Sequence, residues 1–161
     1  MNQNRTNVKR ALLVLAPLAL ALQACAYDPS GPASQRNDLR AARTAWERQG
    51  ITSYRYTLYK VCGECPSESV APARVEVRDG RTVSVTPVNP ARPIRAEYFD
   101  EYDTIEDLFA TVQGVIDHDP YRFSAVYDAR RGYPLSYSVD YDRRMVDDEA
   151  GFTLTDFEVV R

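Results

Sequence analysis

The sequence has little of what most enzymes need for catalysis. It contains one histidine and three cysteines among its 161 residues. No Gly-rich phosphate-binding loop, nucleophile motif or pair of metal-binding histidines is present in it. A second cysteine pair is also missing, so the four ligands of a structural zinc site are not available. We therefore expect a protein that is not an enzyme and that has no cofactor.

Positive charge is scarce as well. The formal net charge is −3, and because nucleic-acid binding requires a basic face, we expect no nucleic-acid partner. Three of the 20 basic residues, Arg5, Lys9 and Arg10, lie in the first ten positions, and no acidic residue precedes Asp28. The chain after residue 24 therefore keeps 17 basic and 23 acidic residues, which gives it a net charge of −6.

A hydrophobic run long enough to span a membrane is also missing. The apolar run ALLVLAPLALAL covers only residues 11–22, whereas a transmembrane helix needs about 20 such residues. A basic start, a short apolar run and a small residue before the cleavage site are typical of a secretory signal peptide. We assign such a signal peptide, of the lipoprotein type, to residues 1–24.

The residues around the predicted cleavage site resemble a bacterial lipobox. They read Leu22-Gln23-Ala24-Cys25, and the resemblance implies that Cys25 is lipidated and becomes the new N-terminus. The alternative is an ordinary signal peptide in which Cys25 is incidental. We expect an exported protein that is bound to the membrane of the bacterial cell envelope through a lipid anchor. The residue after the cysteine is Ala26 and not an aspartate, which favours the outer membrane if the source is Gram-negative.

Residues 25–34 are predicted to be a flexible tether, because the stretch AYDPSGPASQ at residues 26–35 contains two prolines, a glycine and two serines. The remaining residues, 35–161, are interpreted as a single α+β domain. Apolar residues at helical spacing predict one helix over residues 35–48, with Ser34 as its N-cap, and a second over residues 104–116. Asp103 and Glu106 resemble a capping box for the second helix.

Alternating apolar and polar residues predict the strands. The first strand covers Tyr54 to Cys62, and Asp79-Gly80 between alternating segments is a strong hairpin signal. A second hairpin lies between Tyr121 and Tyr141, and its turn falls at residues 128–133. A last strand over residues 152–160 changes parity and so predicts a bulge near residues 155–156.

The predicted element order is therefore α-β-β-β-α-β-β-β. Each helix has one apolar stripe and the strands alternate. We accordingly predict an α+β fold in which an antiparallel sheet of about five to six strands carries two helices on one face.

The motif Cys62-Gly63-Glu64-Cys65-Pro66 follows the first strand. A structural disulfide fits an oxidising envelope, and if Cys25 is lipidated, Cys62 and Cys65 have only each other as partners. A thiol–disulfide active site is the second interpretation, although its chemistry uses a helix after the first cysteine, for which we expect no room before Val75. A metal site is the third.

Acidic residues are concentrated in a segment of ten residues. Hard cations such as Ca²⁺ require several converging oxygen ligands, and the segment could supply them. The alternative is a solvated acidic turn that keeps a loop soluble. The candidate metal ligands are Asp140, Asp142, Asp147, Asp148 and Glu149.

Several segments together resemble the uncharacterised bacterial lipoprotein family known as domain of unknown function 6174. The resemblance covers about residues 40–159, supports secretion and an α+β fold, and implies no activity. The matching segments are Trp46, Tyr54 to Tyr56, Cys62 with Cys65 and Pro66, Val75 to Gly80, Ile105 to Phe109, Tyr127-Asp128, Gly132-Tyr133-Pro134, Asp140 and Asp147 to Glu149.

We therefore predict a cell-envelope lipoprotein that acts as a non-enzymatic binding or structural module with an envelope protein as its partner. Tyrosine and arginine are enriched in interaction hot spots, so the candidate binding surface consists of Tyr59, Tyr121 and Tyr133. The alternatives are a calcium-dependent module that uses the acidic segment 140–149, and a thiol–disulfide protein that uses Cys62 and Cys65.

Overall fold

A six-stranded antiparallel sheet forms the centre of the structure, a computed structural model that describes residues 31–160. The predicted signal peptide, the predicted lipidation site Cys25 and most of the predicted tether lie outside these residues. Within residues 31–160, three α-helices and one 3₁₀ turn accompany the sheet. The predicted α+β class, the antiparallel sheet and the number of strands are confirmed.

Six strands make two meanders of three that meet in the middle of the sheet. The order across the sheet is β3-β2-β1-β6-β5-β4, and every neighbouring pair is antiparallel. The first and last strands of the chain therefore lie side by side, and β3 and β4 are the two edges. The strands are β1 (Tyr54–Cys62), β2 (Ala73–Arg78), β3 (Arg81–Pro87), β4 (Arg122–Tyr127), β5 (Pro134–Asp140) and β6 (Ala150–Val159).

The first helix, α1 (Pro32–Glu47), begins earlier than the sequence suggested. Proline suits the first turn because its missing N–H would be unpaired there, and Gly31 takes the N-cap position. Ser34, predicted as the N-cap and as part of the tether, is instead a buried residue inside the helix. The tether prediction for residues 32–34 is therefore wrong.

Two further helices follow. The third helix, α3 (Ile105–Asp117), begins after Thr104, whose hydroxyl oxygen accepts a hydrogen bond from the backbone N–H of Asp107 at 3.0 Å. The predicted capping box was thus one residue out of register. A single turn of helix, α2 (Ser67–Val70), follows Cys65, where we expected none. No helix between residues 31 and 160 is both long and apolar enough to cross a membrane.

Helices α1 and α3 pack on the same face of the sheet and enclose the core. Trp46 from α1 is the centre of an aromatic cluster in which three rings, those of Tyr54, Tyr133 and Phe157, meet it edge-on at 5.5–6.1 Å. The largest completely buried side chains on this face are Tyr54, Tyr56, Phe99, Phe109, Phe152, Leu39, Leu58, Ile105, Leu108, Ile116, Val75 and Val77.

The predicted bulge in the last strand is confirmed. The pairing of β1 with β6 shifts between the pairs Arg55–Glu158 and Thr57–Thr155. Asp156 lies at this shift with a φ of 52°, a left-handed conformation that aspartate tolerates better than most residues. The extra residue brings Phe157 to the side of the core, where it stacks on Tyr133 at 4.4 Å.

Candidate functional site

Neither of the two long helices between residues 31 and 160 packs on the second face of the sheet, which we call the open face. Directly paired residues on antiparallel strands point to the same side. Leu58, Phe152 and Tyr137 are buried under the helices, so their neighbours along each strand point to the open face. One row of the open face contains Tyr59, Thr153, Ser136 and Val126, and the next contains Val61, Gly151, Ser138 and Ser124.

Small hydroxyl side chains occupy the middle of both rows. Four of them, which we call the hydroxyl floor, lie on β4, β5 and β6 between larger side chains on β1 and at the β4 edge. A cleft of about 950 Å³ opens over this floor and continues past Tyr121 and Arg122 to the start of α1 at Gly31. The hydroxyl floor consists of Ser124, Ser136, Ser138 and Thr153.

Gly151 leaves the hydroxyl floor without a side chain at its position on β6, next to β5. A Cβ atom at this position would lie 2.4 Å from the carbonyl oxygen of Tyr137 on the neighbouring strand. Only glycine therefore allows the two strands to approach this closely. As a result, the cleft has no side chain between Ser138 and Val61, its neighbours in the row.

Charged and aromatic groups stand at one end of the cleft. Arg122 lies opposite Asp140 across β4 and β5, and its guanidinium carbon is 5.1 Å from the centre of the Tyr121 ring. Tyr121 is 45 % exposed and Tyr59, beside the floor, is 40 % exposed. Hydroxyl groups both donate and accept hydrogen bonds, so this surface is suited to a polar ligand that contacts tyrosine and arginine at its ends.

The structure thus places two of the three predicted surface tyrosines at one site and excludes the third. Tyr59 and Tyr121 are exposed next to the cleft, but Tyr133 is only 6 % exposed and packs between Trp46 and Phe157. The prediction for Tyr133 is wrong because the turn before it folds under α1. Gly132 has a φ of 87° and lies so close to α1 that a Cβ would be 2.3 Å from the carbonyl oxygen of Ala42.

The acidic residues predicted as metal ligands do not converge. Among residues 31–160, no group of three or more His, Cys, Asp or Glu side chains is arranged to hold a metal ion. Asp142 instead pairs with Arg144 at 3.0 Å, and this guanidinium lowers the pKa of Asp142. A side-chain oxygen of Asp148 accepts a hydrogen bond from the backbone N–H of Asp142 at 2.7 Å. These two carboxylates therefore organise the β5–β6 loop itself.

Cys62 and Cys65 lie at disulfide-bonding distance, with their sulfur atoms 1.90 Å apart. The turn between them packs against the β5–β6 loop, because a Cβ on Gly63 would lie 2.3 Å from the carbonyl oxygen of Asp147. The disulfide turn therefore lies against the β5–β6 loop, next to the point where Cys62 of β1 pairs with Ala150 of β6.

The part of the chain that contains the hydroxyl floor and the cysteine pair also matches a known family. A family model described as a family of unknown function (DUF6174) matches residues 38–159. The chain belongs to the DUF6174 family. A comparison with curated proteins found no match, and a comparison with solved structures found none either.

The DUF6174 segment contains the whole hydroxyl floor together with Tyr59, Tyr121 and the cysteine pair. Cys25 and Gly31 lie outside it. A second cleft of about 530 Å³ also lies within the DUF6174 segment, between α3 and Tyr102, Tyr137 and Tyr141. Burial raises the pKa of all three tyrosines. Sequence reasoning missed both clefts, because their residues come from strands and helices that are distant in the chain.

Proposed function

We propose that this protein is an exported lipoprotein of the bacterial cell envelope, attached through a lipid on Cys25, and that it acts as a non-enzymatic binding module. The cleft over the hydroxyl floor is the observation that carries the proposal for binding. The signal-peptide pattern of residues 1–24 and the lipobox-like residues Leu22 to Cys25 support the proposal for anchoring.

The two faces of the sheet differ in a way that favours binding on the open face. The covered face buries large apolar side chains under α1 and α3. The open face combines exposed hydroxyls, such as Ser124 and Ser138, with a tyrosine and an arginine at the rim. Tyrosine and arginine dominate interaction hot spots because they combine a large contact area with hydrogen-bonding groups. The small floor residues leave room for the backbone of a partner.

We infer that the partner is an envelope protein that presents an extended segment. Among the strands of residues 31–160, β4 pairs only with β5, so these strands leave one of its edges free for another strand. The opposite edge strand, β3, ends at Pro87 and itself carries the extra residue of the register shift in its pairing with β2, whereas the extra residue of the β4–β5 shift lies on β5. Prolines and bulges discourage strand addition. The β4 edge, next to the cleft, is therefore the better acceptor for an added strand.

The binding proposal is tested by filling the floor. Ser138→Arg places a long side chain into the cleft, and Thr86→Arg is the matched control. Thr86 is also an exposed hydroxyl residue, and it pairs with Arg74 on β2, far across the sheet from the cleft. Both variants are expected to keep the free energy of unfolding in urea within about 0.5 kcal/mol of the wild-type value, the range of a surface substitution.

After crosslinking in the cells that produce the protein, we expect wild type and Thr86→Arg to retain a common partner and Ser138→Arg to lose it. If all three proteins retain the same partner, the cleft is not the binding surface.

The anchoring proposal is tested by the intact mass of the protein extracted from bacterial membranes, with thiol alkylation before and after reduction. We expect a chain that begins at an acylated Cys25 and whose Cys62 and Cys65 are alkylated only after strong reduction. Ready alkylation of that pair would instead favour the thiol–disulfide function. A chain that begins elsewhere and carries no lipid would refute the anchor.

A further inference from the structure

The described chain begins at the same end of the molecule as the β5–β6 loop. Gly31 and Pro32 line the first cleft together with Val61, Tyr121 and Glu149. The backbone N–H of Tyr121 also donates a hydrogen bond to the carbonyl oxygen of Tyr141 at 3.2 Å, which ties the start of β4 to the beginning of the loop. We call this region, which contains Gly31 and the β5–β6 loop, the proximal end.

Exposed apolar side chains are concentrated at the proximal end. Among residues 31–160, ten large hydrophobic side chains are exposed, and five of them lie here. Val146 is the most exposed of the ten, at 84 %, and Met145 is 60 % exposed. The five are Val61, Tyr121, Tyr141, Met145 and Val146.

The loop holds Met145 and Val146 at its tip in a defined way. The backbone N–H of Met145 donates to the carbonyl oxygen of Asp142 at 2.8 Å, which closes a turn. Asp148 accepts from the N–H of Asp142, and Gly63 of the disulfide loop packs on Asp147. These contacts fix both sides of the tip. The two apolar residues are therefore presented to the outside by an ordered turn.

Charge does not explain a contact at this end. Arg144 is paired with Asp142, and Arg122 faces Asp140. The remaining charged side chains nearby are Glu64, Asp119, Arg143, Asp147, Asp148 and Glu149, of which five are acidic and one is basic. An acidic rim repels an anionic surface, so any contact here must come from burial of the apolar tip.

We propose that the proximal end rests on the lipid bilayer and that Met145 and Val146 enter its interface. This inference depends on the proposed lipid on Cys25. Six residue steps separate Cys25 from Gly31, and an extended chain of that length reaches at most about 20 Å. The lipid anchor therefore keeps the proximal end close to the membrane, and a second point of contact fixes the orientation of the cleft relative to the bilayer.

The contact is tested by the rate at which a membrane-impermeant maleimide labels a single cysteine. Val146→Cys and Val83→Cys are the matched pair, since Val83 is a second exposed valine, 57 % exposed, on β3 at the sheet edge opposite β4. The lipidated variants are placed on phosphatidylcholine vesicles. The same two variants exported without lipid, with Cys25 replaced by serine, give the reference rates in solution.

We expect vesicles to slow labelling of Val146→Cys several-fold relative to Val83→Cys, although Val146 is the more exposed residue in the free protein. The protection should persist at high salt and weaken when anionic lipid is added, because the rim is acidic. If vesicles slow the labelling of both variants by the same factor relative to their rates in solution, and the protein is still membrane-bound, the bilayer contact is overturned and the anchor is left intact. Protection in cells but not on vesicles would also overturn it, because a protein would then cover the tip. A mass without lipid would refute both proposals.

Discussion

Among single residues, the tyrosine hydroxyls on the covered face of the sheet differ in how well they are paired. The Tyr54 hydroxyl accepts from the N–H of Ile105 at 2.9 Å, and the Tyr56 hydroxyl donates to the carbonyl oxygen of Tyr102 at 2.6 Å. The Tyr127 hydroxyl is buried and has no hydrogen-bond partner among residues 31–160. A buried polar group without a partner loses its hydration and gains nothing in return.

Replacing Tyr127 and Tyr56 by phenylalanine should therefore have opposite effects. We expect Tyr127→Phe to raise the free energy of unfolding by about 1 kcal/mol, because it removes an unpaired buried hydroxyl. Tyr56→Phe should lower it by about 1 kcal/mol, because the Tyr102 carbonyl loses its donor. Urea unfolding followed by far-ultraviolet circular dichroism measures both values. A loss of stability in Tyr127→Phe would mean that the hydroxyl has a partner after all.

At the scale of elements, the packing of the β4–β5 turn against α1 depends on a single glycine. A Cβ at Gly132 would overlap the backbone of Ala42 and come within 2.9 Å of the Ala45 side chain. Gly114 in α3 is the matched control, since a Cβ there would meet nothing within 4 Å. The two positions separate the combined effect of crowding and positive φ at Gly132 from the general effect of replacing glycine.

We expect Gly132→Ala to lower the free energy of unfolding by about 1–3 kcal/mol through overpacking. The positive φ, which alanine disfavours, adds a further loss. Gly114→Ala should raise the free energy of unfolding by up to about 1 kcal/mol, because alanine is the better helix former. Chemical denaturation compares the two variants directly. Similar changes of the same sign in both would show that the turn does not press on α1.

The same contact shows where sequence reasoning stops. The bounds of β1, the Asp79-Gly80 hairpin and the bulge at Asp156 depend on neighbours in the chain, and all three were predicted. The burial of Tyr133 depends on α1, which lies about 90 residues earlier. The local pattern showed no more than that Tyr133 ends the turn over residues 128–133. Only the folded turn reveals on which side of it α1 packs.

Part of the candidate site could be predicted from the sequence, and the rest could not, for the same reason. Ser124, Ser136 and Ser138 alternate with apolar residues, so the sequence indicated a polar face on that hairpin. Thr153 joins them only because β6 pairs with β5 and with β1, a non-local arrangement that no local pattern encodes. The cleft is therefore a property of strand order.

For the whole molecule, the buried tyrosines predict a loss of stability at high pH. Burial raises the pKa of Tyr54, Tyr56, Tyr102 and Tyr137, and raises the pKa of Tyr127 to about 12. In the unfolded chain, tyrosine loses its proton near pH 10. Above that pH the unfolded state binds fewer protons than the folded state, so rising pH favours unfolding.

We therefore expect full tyrosine-linked stability below about pH 10 and a progressive loss as the pH rises towards 12. Each of these tyrosines contributes at most about 1.4 kcal/mol per pH unit in this window, and less where its ring is only partly shielded from solvent. Lys60 acts in the opposite direction, since burial lowers its pKa, but it is one group against seven tyrosines whose pKa burial raises. Urea unfolding at pH 8, 9, 10 and 11, followed by circular dichroism, checks the slope.

Tyr127→Phe is the control for this titration, because it removes one raised pKa and should flatten the decline slightly. Ultraviolet absorbance of the folded protein should show at the same time that the tyrosinates of the buried residues do not form before unfolding. A free energy of unfolding that stays constant from pH 8 to 11 would contradict the argument. It would mean that the covered face admits enough water to ionise its tyrosines, which the packing of α1 and α3 on the sheet excludes.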